Sequence, residues 1–92
     1  MILSFKHKGL ARFYDSGVKS GIRPEHADKL ERILDRLDAA ITPGDMNLPG
    51  YRLHKLTGNY KGYWSVIISG NYRVIFQFQG ENAKNVDYLD YH

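Results

Sequence analysis

Residues 63–79, YWSVIISGNYRVIFQFQ, contain the pattern that decides the fold. Two runs rich in β-branched and aromatic residues, Tyr63–Ser69 and Tyr72–Gln79, are separated by Gly70-Asn71. Two strand-like runs joined by a two-residue turn of this type predict a β-hairpin. Along the second run, alternation places apolar residues on one face of the strand and a mainly polar set on the other. The apolar face consists of Tyr72, Val74, Phe76 and Phe78, and the other face of Arg73, Ile75 and Gln77.

Segments on both sides of the hairpin have the same strand pattern. Tyr51–Leu56 alternates, with Arg52 and His54 on one face of the predicted strand. After a turn at Gly80-Glu81-Asn82, residues 85–91 form a last strand. The C-terminal half therefore predicts an antiparallel meander.

The N-terminal half has helical periodicity. Residues 7–16 form a short amphipathic helix, and Pro24–Ile41 forms a longer helix with apolar residues at helical spacing. Proline suits the first turn of the second helix, and Thr42-Pro43-Gly44 ends it. Ile2–Phe5 is a candidate short strand. Helices followed by a meander predict an α+β fold in which both helices pack on one face of the sheet. The other face is then free to act as a working surface.

Length and composition limit the function classes. Ninety-two residues suit one domain, residues 1–92. The chain has no cysteine, which excludes disulfides, thiolate metal sites and a cysteine nucleophile. No apolar run reaches the roughly 20 residues that span a bilayer, and the N-terminus is a poor signal peptide. We therefore expect a soluble cytoplasmic protein that has no membrane partner.

Charge is distributed unevenly along the chain. Six of the 10 acidic residues lie between positions 25 and 45, whereas residues 51–80 contain four cations and no acid. A basic surface attracts phosphate backbones and speeds encounter with nucleic acid. The candidate RNA-binding cations are Lys6, Lys8, Arg12, Arg52, Lys55 and Lys61. The alternative is a solvated surface with a small charge bias.

Several residues suit the chemistry of RNA cleavage. Attack by a 2′-hydroxyl on the adjacent phosphate needs a base, an acid for the leaving oxygen, and a cation on the phosphate. Histidine and arginine suit these roles because imidazole titrates near neutrality and guanidinium binds phosphate bidentately. The candidates are His54, Arg73 and the C-terminal Asp90 and His92. A surface histidine and a polar tail are the alternative, and a metal site of His54, Asp90 and His92 lacks compact ligand spacing.

The remaining histidines and the aromatic residues are assigned more simply. His7 and His26 are expected to be surface residues near helix starts. Tyr60, Tyr63 and Tyr91 are candidates for stacking on RNA bases. Trp64 and Tyr72 could also stack, but their large apolar area favours the core or its edge.

Along essentially its whole length, the sequence resembles the HigB toxins of the RelE/ParE superfamily. The resemblance is carried by residues 1–10, 37–78 and 87–92. Its most specific part is the order L-H-x-L-x-G, G-x-W-S, N-x-R-V-x-F and a final D-Y-H. The resemblance implies a RelE-like microbial RNase fold with a curved antiparallel sheet. It also implies metal-independent cleavage of mRNA in the ribosomal A site, without a cofactor.

The resemblance further implies the residues of the site and the partners. His54, Arg73, Asp90, Tyr91 and His92 would be the catalytic group. Thr57 and Ile67 stand where some relatives carry basic or polar residues. The implied partners are the 70S ribosome with mRNA and a HigA-like helix-turn-helix antitoxin, which would connect the toxin to operator DNA.

Two other functions are compatible with the same fold, because fold does not determine function. One is a ParE-like gyrase poison, although the histidine-containing C-terminus argues against it. The other is a non-catalytic regulatory module that acts with its antitoxin on operator DNA.

Overall fold

A computed structural model describes residues 1–91, in which two α-helices precede a four-stranded antiparallel sheet. The helices are α1 (Lys8–Ser16) and α2 (Ala27–Ala39), and the strands are β1 (His54–Lys55), β2 (Trp64–Ser69), β3 (Tyr72–Gln79) and β4 (Asn82–Asp90). The strands follow one another in the sheet in chain order. The α+β prediction and the antiparallel meander are therefore confirmed.

A glycine ends α1, and side-chain hydrogen bonds to the backbone end α2. The side chain of His7 accepts a hydrogen bond from the Leu10 N–H at the start of α1, and Gly17 closes that helix with φ 75°. The carboxylate of Asp45 accepts hydrogen bonds from the Ile41 and Thr42 N–H groups. This cap holds the segment after α2 out of helical geometry, so α2 ends before the predicted Ile41, which is 54% exposed. Residues 24–26 form a turn of 3₁₀ helix ahead of α2.

The hydrophobic core lies between the helices and one face of the sheet. Leu30 and Leu34 of α2 and Val74 and Phe76 of β3 are completely buried in it. The predicted apolar face of β3 is therefore confirmed. Ile75, on the opposite face of β3, is also buried, at 1% exposure. No helix within residues 1–91 has the length and apolarity that crossing a membrane requires.

The β2–β3 hairpin is confirmed, and β4 begins earlier than predicted. Ser69 pairs with Tyr72 across the Gly70-Asn71 turn, where the glycine has φ 53°. At the next turn Gln79 pairs with Asn82, so only two residues connect β3 to β4. The register then shifts near Asn85, whose φ of 52° is typical of a β-bulge. The bulge interrupts the regular alternation of side chains at Asn85, so the sequence pattern does not show that residues 82–90 form one strand.

The predicted strand at Ile2–Phe5 does not form as a continuous strand. The segment makes two isolated parallel bridges to the edge of the sheet, from Ile2 to Ala83 and from Phe5 to Val86. The predicted strand at Tyr51–Leu56 is also too long, because Arg52 has φ 51° and cannot continue an extended chain. Only the two residues of β1 pair with β2.

His26 is buried, which contradicts the prediction of a surface histidine. Its side chain is 3% exposed, with Nδ1 2.6 Å from the Tyr88 hydroxyl and Nε2 2.9 Å from Ser69 Oγ. Its ring also lies 4.8 Å from that of Tyr72. These partners are distant in sequence, so the local pattern around Pro24 contains no sign of them. Burial also raises the pKa of the Tyr88 hydroxyl.

Candidate active site

A cleft of about 460 Å³ lies on the sheet face opposite the helices. It is bounded by the segment that leads into β1, by the middle of β2, by β3 and by the end of the described chain. Its lining residues are Arg52, Leu53, His54, Leu56, Ser65, Ile67, Arg73 and Tyr91.

The strand register explains why these side chains meet. His54 pairs with Ser65 across β1 and β2, and Ile67 pairs with Arg73 across β2 and β3. Directly opposed residues of antiparallel strands project from the same face. Ser65 and Ile67 are two residues apart on β2 and also share that face. The imidazole of His54 and the guanidinium of Arg73 therefore stand over adjacent rows of one sheet face.

Tyr91 forms one wall of the cleft. Its backbone N–H donates a 2.8 Å hydrogen bond to the Asn71 carbonyl oxygen, which extends the sheet one residue beyond β4. The Arg73 guanidinium carbon lies 5.8 Å from the centre of the Tyr91 ring. A cation over an aromatic face is attracted to it, so this contact restrains both side chains. The half-buried Arg73 is thus held at the cleft, with the Tyr91 ring beside it.

Asp90 and His92 have different outcomes. Asp90 pairs with Tyr72, whose side chain packs against the helix-side core, so its position in the register is on the other face from Tyr91. It is exposed and does not line the cleft. His92 lies outside the described residues. Of the five predicted catalytic residues, the described chain therefore brings together His54, Arg73 and Tyr91.

The six predicted RNA-binding cations are dispersed. Arg52 lines the cleft. Lys6 lies against Tyr63, with Nζ 5.7 Å from the ring centre, and Lys55 lies 5.6 Å from the Trp64 ring. The exposed Lys8 and Arg12 belong to α1, in the helix layer, and the exposed Lys61 follows a 3₁₀ turn at residues 58–60.

The cleft also contains residues that were not predicted. Ser65 is 2% exposed at its base, and Leu53, Leu56 and Ile67 add apolar surface. Alternation along β2 could have identified Ser65 and Ile67, because both project from the same sheet face as their cross-strand partners, His54 and Arg73. Nothing in the sequence marks the φ of 51° at Arg52. A non-glycine residue in the left-handed region costs about 1–2 kcal/mol, and such residues are concentrated at functional sites.

The cleft therefore presents groups that suit binding of a phosphate and a base. One imidazole, two guanidinium groups and one phenol ring meet over a floor that is partly apolar. Guanidinium groups bind phosphate oxygens bidentately, and a tyrosine ring offers a surface for stacking on a base. Within residues 1–91, no three His, Cys, Asp or Glu side chains are grouped closely enough to hold a metal ion.

The four-stranded meander, the two covering helices and the basic cleft on the free face are consistent with the class of RelE-like toxins. A family described as "RelE-like toxin of type II toxin-antitoxin system HigB" matches residues 3–92. The chain belongs to this HigB-like toxin family, whose members are the toxin components of type II toxin–antitoxin systems and therefore have an antitoxin partner.

Two relatives match over the full chain. The chain is 41% identical over 92 residues to "Endoribonuclease HigB" of Proteus vulgaris, and the match covers 100% of both proteins. It is 39% identical over 94 residues to "Toxin HigB-1" of Vibrio cholerae serotype O1, covering 100% of this chain and 98% of that protein.

Proposed function

We propose that this toxin is an endoribonuclease that cleaves mRNA in the A site of the 70S ribosome and so stops translation. The observation that carries the proposal is the placement of His54, Arg73 and Tyr91 around one cleft. The similarity to the Endoribonuclease HigB of Proteus vulgaris, which extends over the full length of both proteins, supports the same activity. The cytoplasm, where translating ribosomes are found, is the proposed location.

The proposed reaction is an attack of the 2′-oxygen on the adjacent phosphorus. A base removes the proton of the 2′-hydroxyl, the 2′-oxygen bonds to phosphorus, and the 5′-oxygen leaves with a proton from an acid. Arg73, with Arg52 beside it, binds the phosphate oxygens as negative charge develops on them. His54 transfers a proton, and Tyr91 stacks on a base next to the cut. Asp90 and His92 remain candidates for the other proton-transfer roles.

The open form of the cleft supports a requirement for the ribosome. His54 and Arg52 are exposed, and the charge of the whole chain is only +3. Salt-dependent phosphate contacts provide most of the affinity for RNA, so a weakly charged protein holds free RNA weakly. A ribosome that already holds the message supplies this positioning. An open cleft also lets the toxin reach an RNA strand that is bound to the ribosome.

Primer extension on a defined mRNA, free or loaded on 70S ribosomes, tests the proposal directly. We expect cuts within the A-site codon on ribosomes only, with a loss of at least about 100-fold in the His54→Ala, Asp90→Ala and His92→Ala variants. Removing a proton-transfer group has this effect because the barrier rises while the fold is unchanged. The rate of appearance of the cut product is the measured quantity.

Glu81→Gln, at the exposed β3–β4 turn, is the control, and circular dichroism establishes that each variant is folded. If any two of the three site variants keep full activity, the assignment of the site is wrong. Cutting of free RNA at the same rate would remove the requirement for the ribosome. No cutting on either substrate would favour a gyrase poison or a regulatory module that acts with its antitoxin.

We infer that the antitoxin is a HigA-like helix-turn-helix protein that binds operator DNA, so the toxin reaches DNA only within the complex. The surface suited to such a protein is a groove of about 260 Å³ between α1 and α2. It lies in the helix layer, on the other side of the sheet from the cleft.

The helix groove combines an apolar floor with acidic walls. Phe13 and Leu34 are buried beneath it, and the exposed Glu31 and Asp35 border it. Burial raises the pKa of the half-buried Tyr14 in this groove, and the nearby carboxylates of Asp38 and Asp35 raise it further. A negative rim around an apolar floor is complementary to a segment that presents an apolar side chain between Lys or Arg residues.

Charge reversal in the helix groove is expected to weaken antitoxin binding without affecting cleavage. Glu31→Lys combined with Asp35→Lys replaces attraction by repulsion, and we expect Kd to rise at least about 10-fold. Titration calorimetry with the antitoxin measures this change. Glu81→Lys is the matched control, because it makes the same substitution on the turn between β3 and β4. Unchanged affinity in the double variant would show that the antitoxin binds elsewhere.

A further inference from the structure

Three tyrosines next to the cleft form a contiguous cluster. The Tyr60 ring lies 5.7 Å from the Tyr91 ring and 6.1 Å from the Tyr63 ring, measured between centres. Tyr60 belongs to the 3₁₀ turn at residues 58–60, and Tyr63 comes directly before β2. The tyrosine cluster therefore extends the wall of the cleft along the free face of the sheet.

The tyrosine cluster ends in a cation on each side. On the cleft side, Arg73 lies over Tyr91, at 5.8 Å. On the far side, Lys6 lies 5.7 Å from the centre of the Tyr63 ring, and its Nζ donates a 3.5 Å hydrogen bond to the Tyr63 hydroxyl. A path of aromatic rings thus leads from the candidate phosphate-binding arginine to a second, exposed cation.

The hydrophobic core does not account for this cluster. The chain has seven tyrosines. Four of them belong to the helix-side core or pack against it, namely Tyr14, Tyr51, Tyr72 and Tyr88. Tyr60, Tyr63 and Tyr91 are not part of that core, and each is half-buried. Their rings form one chain of contacts that ends at the cleft residue Tyr91. The three tyrosines that the core does not use are therefore the three that meet beside the cleft.

Aromatic rings bordered by cations suit single-stranded RNA. Every base has a flat π-face that can stack on tyrosine, and each stacked base contributes about 1–3 kcal/mol. Lysine supplies a point charge for a phosphate. An ordinary surface has no comparable reason to keep three phenol rings in contact and partly exposed to water.

We propose that the RNA segment adjoining the cut lies along the tyrosine cluster. One flanking base stacks on Tyr60, the next contacts Tyr63, and Lys6 binds the phosphate beyond them. This inference rests on the proposed ribonuclease function and adds a flanking-nucleotide subsite to it. The subsite makes the rate of cutting depend on bases outside the cleaved linkage.

A cycle that pairs a protein variant with an altered RNA tests the subsite. The substrates carry a single abasic nucleotide at each position flanking the cut, in turn, and are loaded on ribosomes as above. With the parent protein, removing the base that stacks on Tyr60 should lower kcat/KM by roughly 5- to 100-fold. With Tyr60→Ala, removing the same base should have little further effect, because the two changes delete one contact.

Tyr60→Phe keeps the ring and should behave as the parent does. If every abasic substitution lowers the rate of Tyr60→Ala as much as that of the parent, the changes are independent and the subsite is refuted. If Tyr60 only supports Tyr91, Tyr60→Ala lowers the rate on every substrate by the same factor. That result would also refute the subsite. A parent protein that cuts no RNA would overturn the proposed function itself, and the subsite with it.

Lys6→Gln tests the far end of the path. Loss of one phosphate contact should reduce the slope of log kcat/KM against log salt by about one unit. Lys19→Gln, which removes an exposed lysine from the loop after α1, is the matched control and should leave the slope unchanged. An equal slope for the parent and Lys6→Gln would remove Lys6 from the subsite.

Discussion

Arg73→Ala is expected to slow RNA cleavage by about 100- to 1,000-fold while the protein remains folded. This is the cost of removing one preorganised group that stabilises charge in a transition state. Arg73 lies in the middle of β3, is half-buried, and is restrained by the Tyr91 ring. Because the strand fixes its backbone, the guanidinium does not need to be ordered again in each reaction.

The surroundings of Arg73 explain why no neighbour replaces it. Its partner across β2 is Ile67, an apolar residue. Among the described residues that line the cleft, the only other cation is Arg52, on an exposed segment outside the strands. Lysine is a poor replacement because it binds phosphate as a point charge, without the bidentate fork of arginine. Because of this difference in geometry, we expect Arg73→Lys to recover less than about a tenth of the lost rate.

Single-turnover cleavage on programmed ribosomes measures the effect of Arg73→Ala, and thermal unfolding monitors the fold. Arg36→Ala, which removes an exposed arginine from α2, is the matched control. A rate for Arg73→Ala within about threefold of the parent would exclude Arg73 from transition-state stabilisation, since a shift that small is under 1 kcal/mol.

The hairpin and the core were predictable because a local pattern determines them. Alternation along β3 distinguished the buried Val74 and Phe76 from the cleft residue Arg73. The same alternation places His54 and Arg73 on matching faces once the strand register is known. The register itself is not a local property, so the sequence could nominate these two residues but could not show that they meet.

The errors have physical causes that a local pattern cannot reveal. His26 is buried because two hydroxyl groups, those of Ser69 and Tyr88, reach it from the sheet. The late start of the strand predicted at Tyr51–Leu56 comes from the backbone conformation of Arg52. By contrast, alternation along β4 itself places Asp90 on the face opposite Tyr91, because the strand stays extended to its end. Asp90 therefore remains a candidate from the resemblance alone, without support from the cleft.

Packing of α1 depends on two glycines, Gly9 and Gly21. The sequence pattern does not distinguish them from ordinary helix and loop positions. Gly9 lies in the first turn of α1, and Gly21 lies in the loop before α2. A Cβ built on Gly9 would stand 2.7 Å from both Cα and O of Gly21, and one built on Gly21 would stand 2.5 Å from Cα of Gly9. These are backbone atoms, so no side-chain rotation relieves the contact. The two segments approach so closely only because neither carries a side chain here.

Gly9→Ala is therefore expected to destabilise the protein by about 3 kcal/mol, the upper range for overpacking a tight contact. Helix propensity alone predicts the opposite sign, because alanine is better than glycine by about 1 kcal/mol in a helix. For a domain of this size, the loss corresponds to a fall in Tm of more than about 10 °C. A loss of about 3 kcal/mol is a large share of the free energy of unfolding of a small domain.

Thermal and urea unfolding of Gly9→Ala measure this effect, with Gly44→Ala as the matched control. A Cβ on Gly44 would meet only Thr42 Oγ1, at an ordinary 3.7 Å, so its Tm should stay within about 3 °C of the parent. A Gly9→Ala variant that is as stable as the parent, or more stable, would mean that the loop before α2 moves away from α1 at little cost. Propensity would then outweigh packing. A large fall for Gly9→Ala alone would show that the contact between two distant backbone segments sets the position of α1, and that only glycine permits it.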